Sequence, residues 1–174
     1  IVSGISNLHF TRAMRADKVR KGLLYAGTEY GMYISYDDGA NWKKFQLNLP
    51  VVPITDLTIK ENDLIVATQG RAFWVLDDLT IVQQKDSAIV AKNWHVFSVN
   101  DAYRSEGGGR RGNRGGGAAL PNMGENPPSG VVFNYYLKEG IDTANLKITI
   151  YDKNNKPIKT FSKYISKLAC FCSD

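Results

Sequence analysis

Cysteine and histidine, which supply many transition-metal sites, are scarce in this chain of 174 residues. Cys170 and Cys172, the only cysteines, lie in the last five residues, where a disulfide across one residue would be strained. His9 and His95 are far apart and lack the further ligands that a zinc site needs. The sequence therefore predicts no metal, no cofactor and a frayed tail, and the cysteines say little about the compartment.

Long apolar runs and helical periodicity are also missing. No run of about 18 apolar residues is present, which excludes a membrane-spanning helix. No stretch keeps an apolar period of about 3.6 residues, which argues against a helical fold. The glycine-rich run at 107–117 is followed by no Lys-Ser or Lys-Thr pair, and no Gly-x-Ser-x-Gly sequence occurs. Phosphate-binding loops and the serine-hydrolase elbow are therefore excluded.

Charge is moderate, with 22 basic and 17 acidic residues and a net charge of +5 that is dispersed along the chain. Arg110, Arg111 and Arg114 lie among glycines, and Arg/Gly segments can bind single-stranded nucleic acid. This run is short and no aromatic residue is interleaved with it, so a flexible linker is the simpler interpretation. Nucleic acid is not a predicted partner.

The most informative motif is Ser35-Tyr-Asp-Asp-Gly-Ala-Asn-Trp42, which has the spacing S-x-D-x-G-x-x-W. Asp37 can accept backbone hydrogen bonds as in an Asx turn, and Gly39 can adopt the positive φ that the turn needs. Ser35 can bond back to the turn, and the ring of Trp42 can lie over it. The motif predicts a tight turn between two strands, in which these four residues have structural roles.

A weaker copy follows about 40 residues later, which is the length of a propeller blade. In that alignment Tyr25–Glu29 falls on Ile65–Gln69, and Asp37 and Asp38 fall on Asp77 and Asp78. Short β-rich runs punctuated by turn residues are typical of all-β sandwiches, barrels and propellers. The runs with this pattern are 22–28, 31–36, 42–47, 54–59, 63–68, 72–76, 91–97, 131–137, 146–151 and 157–164.

The pattern predicts an all-β chain in three parts. Residues 1–104 are interpreted as the C-terminal blades of a β-propeller, and 105–130 as a Gly/Pro-rich linker. Residues 131–174 are interpreted as a truncated β-sandwich of the immunoglobulin or fibronectin kind, because such a sandwich needs about 100 residues. Two blades cannot close a ring, so we expect the sequence to be a fragment whose missing blades are partners of this part.

These residues resemble the Asp-box, or bacterial neuraminidase repeat, of sortilin-type β-propellers, and most closely a bacterial glycosyl-hydrolase family. The resemblance rests on the Asp-box and on Ala67-Thr-Gln-Gly-Arg-Ala-Phe-Trp74, and it covers roughly residues 10–165. It implies that the intact protein acts on or binds glycans. It also implies export to the periplasm or the cell exterior.

No catalytic residue is predicted within this segment. Glycoside hydrolysis needs a pair of carboxyl groups, but each candidate carboxylate has a structural or surface interpretation: Asp37, Asp38, Asp56, Asp77 and Asp78. Arg71 and Trp74 are candidate ligand-facing residues, because sugar clefts use aromatic faces and guanidinium groups. The alternative is a sortilin-like module that binds a protein or peptide without enzymatic activity.

Overall fold

The computed structural model describes residues 3–102, 130–138 and 146–162. These residues form antiparallel β-sheets and two very short helices, which confirms the predicted mostly β character. The chain divides into two compact units, Ile1–Gln84 and Lys85–Asp174.

The first unit contains a four-stranded sheet followed by a three-stranded sheet, both with strands in sequence order. The first sheet comprises β1 (Thr11–Ala16), β2 (Leu24–Thr28), β3 (Gly31–Ser35) and β4 (Lys43–Lys44). All neighbouring strands in it are antiparallel, as short connecting turns require.

The second sheet comprises β5 (Ile54–Lys60), β6 (Asp63–Thr68) and β7 (Phe73–Leu76), again antiparallel. A short helix, α1 (Thr80–Gln84), follows β7 and buries Val82 in the core. In the first sheet a fourth strand, β4, follows β3, whereas in the second sheet α1 follows β7. The two sheets therefore differ at their outer edge.

The main core lies between these two sheets. From the first sheet Tyr25, Met32 and Ile34 are almost fully buried, and from the second sheet Leu57, Leu64 and Val66 are equally inaccessible. Alternate residues of a strand point to opposite faces, which explains why the residues that enter this core are spaced by two, as Met32 and Ile34 are on β3. Gly27 permits close approach of the sheets, since a Cβ atom there would lie 2.5 Å from the side chain of Ile54.

The two sheets are copies of one three-stranded pattern. Thr28 pairs with Thr11 and Gly27 with Ala13, which leaves Arg12 as a bulge in β1. In the second sheet Thr68 pairs with Ile54 and Ala67 with Asp56, which leaves Thr55 as a bulge at the corresponding place. A β-bulge is a specific local feature, and its recurrence opposite equivalent residues supports an internal repeat.

The hairpins of the two copies also share a side-chain hydrogen bond. Thr28 Oγ1 donates to Gly31 O at 2.9 Å, and Thr68 Oγ1 donates to Ala72 O at 2.7 Å. Gly31 and Ala72 both adopt a positive φ, +116° and +56° respectively. The equivalence therefore includes this hydrogen bond and a positive φ after each loop as well as strand order.

The second hairpin loop is one residue longer than the first. Two residues separate Thr28 from Gly31, whereas three separate Thr68 from Ala72. The constant offset of 40 used in the sequence alignment is therefore wrong beyond this loop, where the offset becomes 41. Asp37 is thus equivalent to Asp78, and the backbone bond from Asp38 N to Gly22 O is equivalent to that from Leu79 N to Asn62 O.

The opposite face of the first sheet is covered by the segment that precedes β1. Ile5 packs there against Ala26, Tyr33 and Trp42 to form a second, smaller core. Trp42 N donates to Ser3 O at 2.8 Å, which fixes this segment to the start of β4.

The second unit contains α2 (Ser87–Val90), with Asp86 as its N-cap, and four strands in two pairs. β8 (Trp94–Val96) pairs with β9 (Tyr135–Leu137). A separate hairpin is formed by β10 (Lys147–Tyr151) and β11 (Pro157–Ser162).

Several sequence predictions differ in detail from the structure. The predicted strand at 42–47 is confined to Lys43–Lys44. Phe45 N still donates to Met32 O, but the Gln46 side chain after it bonds to Leu49 O in the following segment. The helices were not predicted, since four or five residues are too few to show a period. Residues 94–96, assigned to the first domain by sequence, pair with a strand from the region assigned to the third.

The predicted linker at 105–130 lies outside the described residues except for Gly130, as do the arginine cluster and the tail from Ser166 with its cysteines. Neither of the two helices in the described ranges combines the length and the apolar character needed to cross a membrane.

Candidate functional site

The turn formed by Ser35-Tyr-Asp-Asp-Gly-Ala-Asn-Trp42 joins β3 to β4 and is held by a dense set of hydrogen bonds. Asp37 Oδ1 accepts from the backbone N–H of Asn41 at 2.8 Å and from the hydroxyl of Ser35 at 2.8 Å. Asp37 Oδ2 accepts from Asn41 Nδ2 at 2.7 Å. Ser35 Oγ in turn accepts from the backbone N–H of Gly39 at 2.9 Å. Both carboxylate oxygens of Asp37 are thus engaged within the turn.

Gly39 and Trp42 complete this turn. Gly39 adopts φ +87°, as predicted from the motif. An added Cβ at Gly39 would lie 3.6 Å from Cζ2 of Trp42, so the indole ring lies beside the turn. The buried indole also packs with Tyr33 on the sheet, which connects the turn to the smaller core.

The hydrogen bonds have a clear electrostatic effect on Asp37. Bonds from Asn41 and Ser35 favour the ionised carboxylate and hold its pKa at about 2, below the ordinary 3.8. A general acid near neutral pH needs a pKa raised toward the working pH, which is the opposite shift. Asp37 therefore has the chemistry of a structural anion.

The second copy of the turn uses a different set of partners. Asp78 Oδ1 accepts from Thr80 N at 3.0 Å and from Asn62 Nδ2 at 2.8 Å. Asp78 adopts φ +58°, and its own N–H donates to Asp63 Oδ1 at 3.0 Å. The turn thus keeps an aspartate at its centre although it has no glycine and no tryptophan.

The remaining candidate carboxylates are not brought together as an acid pair by any described contact. Asp56 lies exposed on β5 and forms an ion pair with Arg15 at 2.9 Å. The pKa of Asp77 is raised by burial and then by the charge of Asp63. Asp38 N is bonded to Gly22 O within the first turn.

A further polar cluster surrounds Asp17 at the turn between β1 and β2. Asp17 Oδ1 accepts from Val19 N and Arg20 N, both at 2.8 Å, and its Oδ2 accepts from the hydroxyl of Tyr25 at 3.1 Å. Gln83 Nε2 donates to the same carboxylate at 3.1 Å, which attaches α1 to the first sheet. Burial, together with the Asp17 charge, raises the pKa of Tyr25 far above its ordinary value. This cluster is saturated with internal bonds and has a structural role.

An exposed aromatic and charged surface lies at the hairpin end of the first sheet, formed by His9, Phe10, Arg12, Glu29 and Tyr30. The His9 ring stacks on Tyr30, with centroids 4.5 Å apart, and its Nδ1 lies 2.8 Å from the Tyr33 hydroxyl. Arg12 forms an ion pair with Glu29, and its guanidinium lies 5.4 Å from the centre of the Phe10 ring. Half of the Tyr30 side chain is exposed. We call these five residues the hairpin-end surface.

Arg71 and Trp74, the candidate ligand-facing residues, lie in the equivalent hairpin of the second sheet. Arg71 is exposed in the three-residue loop, and its carbonyl accepts from Trp74 Nε1 at 3.0 Å. Trp74 is only partly exposed, and its ring packs against the main core. The indole therefore supports the loop that presents Arg71.

The hairpin-end surface was not found from the sequence. The sequence predictions concern His9 only as a metal ligand, and Tyr30 lies between the predicted strands at 22–28 and 31–36. The repeat supplies the missing signal, since it aligns Glu29-Tyr30 with Gln69–Arg71 and places both hairpin tips at corresponding ends of two packed sheets. The first tip carries the charged Glu29 and the aromatic Tyr30, and the second carries the charged Arg71.

The described residues contain no group of three or more side chains that could hold a metal ion. Comparison with known proteins found no matching family, no similar curated protein and no similar solved structure.

Proposed function

We propose that residues 3–84 are two consecutive blades of an Asp-box β-propeller and that this segment binds a glycan without catalysing its cleavage. The observation that supports the blades is the repeat, with equivalent bulges at Arg12 and Thr55 and equivalent threonine bonds at the hairpins. The two sheets pack face to face through one core, as neighbouring blades do.

Glycan binding is supported by the hairpin-end surface. Partly exposed rings offer apolar faces to the C–H groups of a sugar, and Arg12, Glu29 and Arg71 offer donors and acceptors for hydroxyl groups. The carboxylates bonded within turns supply no acid pair for hydrolysis. The proposed role is therefore recognition, with any cleavage by the intact protein carried out elsewhere in it.

Affinity electrophoresis in gels that contain neutral or acidic polysaccharides tests this proposal. We expect retardation by at least one polysaccharide and a several-fold weaker interaction for Tyr30→Ala, because that substitution removes the stacked ring. The control is Lys60→Ala, which changes an exposed residue at the C-terminal end of β5 and should not alter retardation. Equal migration of all three proteins in every polysaccharide would contradict glycan binding.

A second candidate is a protein or peptide interaction module of the sortilin kind. It is favoured by one observation, the unpaired outer edge of β7 within the described residues.

A further inference from the structure

The outer edge of β7 carries backbone groups that the sheet does not use. Thr68 N donates to Ala72 O, and this bond fixes which residues of β7 turn their polar backbone groups toward β6. In antiparallel pairing such residues alternate, so Trp74 faces β6 whereas Phe73 and Val75 direct N–H and C=O outward. No strand among the described ranges pairs with this edge.

The first sheet shows what an occupied edge looks like. Met32, the equivalent of Phe73, accepts a hydrogen bond at its carbonyl from Phe45 N at 2.8 Å. Its N–H donates to Gln46 Oε1 at 3.4 Å, and Ile34 and Tyr33 pair with Lys43 and Lys44. The edge of β3 is thus satisfied by a short strand, whereas in the second copy α1 replaces that strand.

The side chains around the β7 edge are apolar on both faces of the sheet. On one face Phe73 is 76% exposed and Val75 is 53% exposed, whereas the face that carries their equivalents Met32 and Ile34 is buried against the second sheet. On the other face a small apolar groove lies between β7 and the segment after β4. It is lined by Met32, Phe45, Leu49, Val66, Trp74 and Leu76.

We propose that the β7 edge binds an extended segment of a partner protein as a fourth, antiparallel strand. The segment would exchange backbone hydrogen bonds with Phe73 and Val75, as β4 does with Met32 and Ile34. Its residue opposite Phe73 would be aromatic or aliphatic, like Phe45, and would cover the exposed Phe73 side chain. Its residue opposite Trp74 would be apolar and would enter the groove. The partner is therefore an extended peptide with consecutive apolar residues.

This inference rests on the repeat and on the free edge, and it does not depend on glycan binding. A negative polysaccharide experiment would not contradict peptide binding at the β7 edge. A negative peptide experiment would likewise not contradict glycan binding.

A peptide with the sequence of residues 41–49 and the change Lys44→Val is a suitable probe, because it copies β4 and offers an apolar side chain to the groove. We expect saturable binding of the labelled peptide to the full chain by fluorescence anisotropy. Methylation of the peptide N–H at Phe45 should weaken binding about tenfold or more, because that group donates to the edge strand.

Methylation at position 44 is the matched control, since that N–H points away from the edge and its loss should change binding little. In the protein, Phe73→Ser should weaken binding without disturbing the buried core, since this side chain is exposed. Equal affinity of the two methylated peptides, or no binding up to about 1 mM, would overturn the proposal. The proposal would also be overturned if the protein forms a dimer that the peptide cannot dissociate and that Phe73→Ser abolishes. The β7 edge would then bind a second copy of this chain.

Discussion

Asp37 shows how a single carboxylate can hold a turn together. Three partner groups, two from Asn41 and one from Ser35, satisfy its two oxygens. All three favour the charged form of the Asp37 carboxyl, so we expect the turn to be more stable when this group is ionised.

The stability that Asp37 supplies should depend on pH in a defined window. Its folded pKa, about 2, lies below the ordinary 3.8, so its contribution is fully present above about pH 4 and is lost as the pH falls toward 2. Asp37→Asn should therefore lower the free energy of unfolding at pH 6, and the difference from the unaltered chain should shrink near pH 2. Urea unfolding of both proteins at several pH values measures this difference.

Asp38→Asn is the control, because it removes the same charge from the neighbouring residue of the same turn. A difference for Asp37→Asn that stays constant from pH 6 to about pH 2 would show that ionisation of Asp37 does not stabilise the turn.

At the scale of elements, the two β-hairpins are near-copies in different surroundings. Thr28 is completely buried, whereas Thr68 is partly exposed, although both hydroxyls donate to the equivalent carbonyl. A buried carbonyl that loses its donor cannot bond to water instead. Loss of the threonine hydroxyl should therefore lower the free energy of unfolding more in the first hairpin than in the second.

Thr28→Val should lower the free energy of unfolding by about 1–3 kcal/mol, since it leaves the bond to Gly31 O unmade in a buried site. Thr68→Val should cost less, because water can reach that hairpin. Chemical denaturation of the two variants measures the comparison. An equal or larger cost for Thr68→Val would mean that burial does not set the strength of this hydrogen bond.

Local patterns predicted the strands well because the residues of each hairpin are close in sequence. The predicted strand at 63–68 coincides with β6, and that at 54–59 differs from β5 by one residue, since alternating apolar residues and polar turns bound both. The Ser35 and Asp37 bonds were expected from spacing alone. These features depend on residues close in sequence.

Features that depend on distant residues were not predictable in the same way. Pairing of β8 with β9 joins residues about 40 positions apart, and no local pattern specifies it. The extra residue in the loop before Ala72 is invisible to an alignment without gaps, and it changed the assignment of the second aspartate from Asp77 to Asp78. The hairpin-end surface likewise needed the packing of two sheets to be recognised.

At the scale of the first unit, one core links both sheets, so they should unfold together. Leu64 on β6 is fully buried among residues of both sheets. Leu64→Ala should lower the free energy of unfolding by about 2–5 kcal/mol, and amide hydrogen exchange should accelerate in β2 and β3 as much as in β5–β7.

The outer-face change Val75→Ala is a suitable comparison, because this half-exposed side chain is outside the main core and should have a much smaller effect. Retained protection in β2 and β3, together with lost protection in β5–β7, would show that the sheets are separate cooperative units.

The face-to-face packing of the two sheets has a consequence for assembly. The face that β5–β7 turns toward the first sheet is equivalent to the face of the first sheet that Ile5 covers, so the packing joins unlike faces. A head-to-tail relation of this kind does not terminate itself; it continues until a ring closes or a cap stops it. The segment at 3–10 covers that face, so we expect its removal to expose an apolar surface against which a further sheet could pack.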